Sequence, residues 1–252
     1  MATAPAHGHA GFLLPILDRS ESSGEVILTA SFSDRFPQPE IALHSDAWSI
    51  ITPSGTRTTY DAIASDEAKS VLRARLGDTG TYRLSSGERL GRKGLATRIG
   101  GRLVRVGRDG MAQDELNADA ELFTAQTATV ADVYLARGAA GAGFPDTRIA
   151  RLAIRPGDNP ARLGTGESLS MRILFDDEPL AGKSVTVFTP GGTRKEGLPE
   201  TSRMTDHSGS LVLTPAKPGA HLVMVRHLAM APAGAQTDVR SYTTTLTVIV
   251  AE

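Results

Sequence analysis

Asp78-Thr79-Gly80-Thr81-Tyr82-Arg83-Leu84 is the stretch that decides the fold class. A tight Asp-Thr-Gly turn opens a strand whose third residue is tyrosine, and a tyrosine so placed hydrogen-bonds back across the preceding loop to fix a corner between strands. Leu84, two residues on, is an apolar core position. Outward from this corner, strict alternation recurs at Val26, Leu28, Ala30 and Phe32, at Leu169, Met171, Ile173 and Phe175, and at Leu246, Val248 and Val250. The 26 Gly and 14 Pro lie mostly between such segments, so turns are well supplied and the class is all-β. Tyr60 to Leu76 is the one ambiguous stretch. Ser65-Asp66-Glu67 is a helix-start signal, yet Leu72, Ala74 and Leu76 alternate with Arg73 and Arg75, which favours a strand.

The pattern occurs twice. Leu72-Arg73-Ala74 followed by Gly80-Thr81-Tyr82-Arg83-Leu84 matches Leu211-Val212-Leu213 followed by Gly219-Ala220-His221-Leu222-Val223 at similar intervals. His221 then stands where Tyr82 does, as a strand-start residue bonded to a loop rather than a ligand. Both corners are of the kind found in immunoglobulin-like domains, with Leu84 in the place of the antibody cysteine. Arg137 to Pro145 has linker composition. The expectation is two immunoglobulin-like β-sandwich domains in tandem, residues 7–137 with a basic hairpin insertion and residues 148–252, joined by a linker at 138–147.

The chain has 252 residues, 27 basic against 28 acidic, a formal net charge of -1 and no cysteine. Near-neutrality gives no whole-chain attraction to nucleic acid or an anionic membrane, and no run approaches the roughly 18 apolar residues of a membrane helix. Thiolate ligands, disulfides and cysteine nucleophiles are excluded. Arg89, Arg92, Lys93, Arg98, Arg102, Arg105 and Arg108 crowd one Gly-punctuated stretch, but aromatic residues for base stacking do not accompany them, and nearby carboxylates follow to neutralise them. Ser208 lacks a nucleophile elbow, and no glycine-rich loop leads from a strand into a helix to cradle phosphate. Asp176-Asp177-Glu178 is an acidic turn and a poor calcium cage. No organic cofactor and no enzyme activity are expected.

The chemistry-bearing residues are the imidazoles of His7 and His9 in Ala6-His7-Gly8-His9. Residues two apart in an extended segment point the same way, and imidazole suits nickel, copper, cobalt or zinc. Two rings leave a divalent ion short of ligands. His227 and His44 are the candidates to complete the set, whereas His207 belongs to a turn. Ala2-Thr3-Ala4-Pro5-Ala6 has the small-residue character of a signal-peptidase site, as if a signal peptide had been removed and Met1 added. Cleavage after Ala6 would let His7 offer its amine as well as its ring.

Several segments together resemble a family of exported bacterial proteins of unassigned function, some of whose members are described as periplasmic components of cobalt or nickel uptake. The carriers are His7-Gly8-His9 with Phe12-Leu13-Leu14-Pro15, Phe32 with Phe36-Pro37, and Gly80-Thr81-Tyr82. In the second half they are Leu152 to Pro156 with Asn159-Pro160, Gly166 to Leu169, Ile173 to Gly182, Thr205 to Gly209, and Pro218 to His227. The resemblance implies a periplasmic accessory protein that handles nickel, cobalt, cupric copper or zinc beside a membrane transporter or outer-membrane receptor component. Bound imidazole must be neutral, so affinity should fall as pH drops below about 6.5. The rival expectation is a non-catalytic envelope interaction module whose edge strands, loops or basic hairpin around Arg98 to Arg108 bind a protein partner or a glycan.

Overall fold

A computed structural model describes residues 9–19, 23–107, 110–139, 141–190 and 200–252. His7 lies outside the described residues. The chain is all-β, and among the described residues helical turns are confined to the short 3-10 segments Gln113–Glu115 and Pro160–Arg162.

The first half contributes β1 (Ala10–Arg19), β2 (Glu25–Ser33), β3 (Ile41–Ala42), β4 (Ser49–Ile51), β5 (Arg57–Thr58), β6 (Ala62–Ser65), β7 (Ser70–Arg75), β8 (Gly80–Ser85), β9 (Arg89–Ile99), β10 (Arg102–Val106) and β11 (Leu122–Arg137). The second contributes β12 (Leu152–Pro156), β13 (Leu169–Phe175), β14 (Glu178–Pro179), β15 (Ser184–Phe188), β16 (Glu200–Met204), β17 (Ser210–Leu213), β18 (Gly219–Met230) and β19 (Val239–Val250). The ambiguous stretch from Tyr60 to Leu76 forms β6 and β7. Asp66 does cap a turn there, accepting from the Ala68 and Lys69 amides at 2.8 Å, but the turn closes a hairpin instead of opening a helix.

One ten-stranded sheet runs through both halves in the order β16-β15-β18-β19-β11-β8-β4-β5, with the β9–β10 hairpin also paired to β11. The order is symmetric about its centre, where β11 and β19 pair in parallel from Ala125 opposite Val239 to Val133 opposite Thr247. Because side chains alternate across a strand, the two faces of this sheet carry different cores. Ala131, Val133 and Leu135 of β11 meet Leu13, Val26, Leu28 and Leu72 of the small sheet β1-β2-β7-β6 on one face. Ala128 and Tyr134 of β11, with Leu246 and Val248 of β19, meet Ile154, Met171 and Ile173 of the small sheet around β13 on the other.

The corners bear out the repeat at atomic level. Tyr82 Oη donates to the Asp78 carbonyl at 2.8 Å, four residues back, and His221 Nε2 lies 2.9 Å from the Lys217 carbonyl, also four back. Burial holds the His221 imidazole below the ordinary range against the bond to Lys217, so it is a neutral fold residue.

The start of β1 crosses to the second half's share of the large sheet. Ala10, Phe12 and Phe36 pack on Phe188, Leu222 and Met224, with the Phe12 and Phe36 rings edge to face at 5.1 Å. Thr245 Oγ1 donates to the Gly11 carbonyl at 2.6 Å beneath this cluster.

Candidate metal centre

His9 immediately precedes β1. The hairpin register pairs Ala10 with Ser33, so the next position outward sets His9 against Asp34. His9 Nδ1 and Asp34 Oδ1 are 2.9 Å apart. Beyond Asp34 the chain turns through Arg35, Phe36 and Pro37 and returns to β3. Glu40 comes back to the same place, where its Oε2 accepts from the Asp34 amide at 2.9 Å. The loop is held at several points: Phe36 is only 1% exposed beneath it, Ser33 Oγ accepts from the Arg35 amide at 2.8 Å, and Ser31 Oγ accepts from the Glu40 amide at 3.2 Å.

The result is one imidazole and two carboxylates whose donor atoms all lie within 4.8 Å of one another. That set fits a divalent transition ion in kind, since imidazole and carboxylate together suit nickel, cobalt, cupric copper or zinc. Arg35 completes the surroundings, its Nε 2.8 Å from Glu40 Oε1. Partial burial works to raise the Glu40 carboxyl, but the Asp34 amide, Arg35 and Ser33 outweigh it and keep the group below the usual carboxylate range.

Neither His227 nor His44 is brought to this group among the described residues. For His227 the reason is strand parity. Arg226 reaches toward the His9 carbonyl at 3.5 Å, so its neighbour His227 points to the opposite face of the sheet. There its ring lies against Phe175, the centroids 4.5 Å apart and the planes tilted by 59°. Burial first, then the Lys183 and Arg151 cations, push its imidazole down to about 4 against the opposing Asp176. A ring flanked by two cations is a poor place for a third. His44 is exposed and supplies its carbonyl, not its ring, to Arg89 Nε at 2.8 Å.

Asp34 and Glu40 were not legible as site residues. The available signal was the β1–β2 hairpin itself, whose register places Asp34 opposite His9 once Ser33 is paired with Ala10. The acidic turn at Asp176 and Asp177 also differs from a calcium cage: both residues have positive φ, as a two-residue hairpin turn requires, and their carboxylates are held by Arg148 and Arg151. A concave region of about 70 Å³, apart from this cluster, is lined by Arg83, Asp146, Arg148 and Arg155 between the halves. Each guanidinium there is paired, Arg83 with buried Asp132 at 2.5 Å, Arg155 with Asp146 and Arg148 with Asp177, so it is a neutral structural joint. The basic stretch forms the β9–β10 hairpin, turned at Gly100 and Gly101 with φ of 53° and 78°. Its Arg98 lies over the Phe123 ring at 5.7 Å and Lys93 Nζ reaches Gln236 at 3.2 Å. Among the described residues no helix is long and apolar enough to cross a membrane.

These features define a class: an all-β protein of packed sheets with a histidine–carboxylate cluster at the seam between its halves. The chain belongs to the DUF4198 family, described as a domain of unknown function, whose family model matches residues 6–229. No curated protein matches it. Among solved structures it is similar to the D0-D1 domain of Intimin, at 14% identity over 91% of this chain and 93% of that one, with a TM-score of 0.22. It is also similar to the FN1-FN3 domains of chicken CNTN1, at 11% identity over 96% of this chain and 67% of that one, with a TM-score of 0.20. At those scores neither likeness carries an argument.

Proposed function

We propose that this is a periplasmic accessory protein that binds a divalent transition metal, nickel, cobalt, cupric copper or zinc, for uptake or homeostasis, without catalysing a reaction. The carrying observation is the 2.9 Å approach of the His9 ring to Asp34 with a Glu40 oxygen within 4.8 Å of both. His7, two residues upstream in the sequence, supplies a further imidazole, and a partner membrane transporter or outer-membrane receptor component would receive the ion. We take the halves as immunoglobulin-like sandwiches in tandem. The orders β1-β2-β7-β6 and β5-β4-β8-β11 support that reading, because they follow the two-sheet arrangement of such domains.

Calorimetric titration of the whole chain with each of the four ions tests it. Micromolar or tighter binding of at least one, weakened a hundredfold or more by His9→Ala and tenfold or more by Asp34→Asn, is the expected result. Equal binding by wild type and His9→Ala would overturn the assignment.

A second reading, an envelope interaction module for a protein partner or glycan, is favoured by one observation. The β9–β10 hairpin and its neighbour β11 expose Leu90, Ile99 and Leu122 beside basic residues. Absence of binding to all four ions would leave that reading in place.

A further inference from the structure

The geometry points to Arg35 as a tethered cation that competes with the metal for Glu40 and so sets the affinity at which the site loads and empties. This assignment rests on the metal reading above and concerns its regulation.

Arg35 is the residue after Asp34, on the loop that carries both carboxylates. It approaches Glu40 Oε1 through two nitrogens, Nε at 2.8 Å and a terminal nitrogen at 2.7 Å, while Glu40 Oε2 is occupied by the Asp34 amide at 2.9 Å. Both oxygens of the one carboxylate that returns toward His9 are therefore already satisfied by donors. An ion binding His9, Asp34 and Glu40 together either shares Oε1 with the guanidinium or takes Oε2 beside it on the same carboxylate, and in both cases it meets the Arg35 charge at the cost of like-charge repulsion. Release is feasible, because the Arg35 side chain is 52% exposed and can swing into water, whereas Glu40 is 21% exposed and stays. The loop does not depend on this pair. The Arg35 amide is held by Ser33, the Glu40 amide by Ser31, and Phe36 is seated on Phe12 and Phe188.

Charge gives the direction of the effect. With neutral His9, the groups Asp34, Glu40 and Arg35 sum to one negative charge; with the guanidinium withdrawn, the donors present two. Arg226, whose guanidinium lies 3.5 Å from the His9 carbonyl, belongs to the sheet beneath and not to the loop that carries Arg35. Arg35 thus keeps the cluster from binding too tightly to hand its ion on, and a partner that offered Arg35 a carboxylate would tighten the site.

Nickel titration of the whole chain by calorimetry, for wild type, Arg35→Gln, Arg35→Lys, Glu40→Gln and the double variant Arg35→Gln/Glu40→Gln, tests this. Arg35→Gln should bind nickel about tenfold more tightly, Arg35→Lys should stay near wild type, and Arg35→Gln should have no effect once Glu40 is already Gln. Thermal unfolding should show all five folded. Unchanged or weaker nickel binding by Arg35→Gln, with wild type still binding, would overturn the competition while leaving the metal site standing. Failure of wild type and Arg35→Gln alike to bind would overturn both.

Discussion

His227 shows how one position in a strand separates a ligand from a fold residue. It lies on β18 beside Arg226, which faces the candidate site, yet its own ring is turned into the second core against Phe175. Burial, Lys183 and Arg151 hold it neutral down to about pH 4, whereas in the unfolded chain an imidazole titrates near 6.5. The unfolded state therefore binds more protons between those values. Stability from this residue is fully present above about pH 6.5 and is lost as pH falls toward 4. Urea unfolding of wild type and His227→Gln across pH 4 to 7 should show a steeper decline for wild type, by at most a few kcal/mol over the range. Parallel curves would contradict the assignment. His221 shifts in the same sense, and comparison with the single variant removes its share.

At the level of elements, the strands were legible where alternation and turns agree, and the corner was legible because its chemistry is local. Tyr82 and His221 bond four residues back, within the span that sequence displays directly. The candidate site was half legible. His9 stood out by residue type, but Asp34 and Glu40 become its neighbours only through the β1–β2 register and the return of the loop to β3. Register depends on where the hairpin turns, and residues 20 to 24 leave several choices by sequence alone. Phe36 ties that loop to the second half: edge to face on Phe12, and 6.4 Å from Phe188. Phe36→Ala should cost about 3–5 kcal/mol in urea denaturation. It should also weaken nickel binding, because the turn holding both carboxylates loses its seat. Lost stability with unchanged nickel affinity would show that the loop is positioned by Ser31 and Ser33 alone.

Over the whole molecule, the least legible feature was the joint. The linker composition of Arg137 to Pro145 marks a domain boundary, but composition carries no information about pairing between distant strands. In the structure Phe144 from that segment packs on Tyr134 at 5.9 Å, and β11 and β19 share a parallel ladder with a different core on each face. Buried Arg83 adds a bond to the Thr147 carbonyl at 2.8 Å. A joint of this extent couples the halves, so unfolding should be a single cooperative transition. Trp48, the chain's one tryptophan, sits in the first half and reports it by fluorescence, while far-ultraviolet circular dichroism reports both. The midpoints should coincide, and a Trp48 transition separated from the dichroism would show independent halves.

The site at that seam is tested most directly by anomalous diffraction from crystals of the whole chain grown with nickel. The expected result is one strong nickel peak bonded to the His9 ring and to a carboxylate oxygen of Asp34 or Glu40. A peak at His44, His207 or His227 with nothing beside His9 would contradict it.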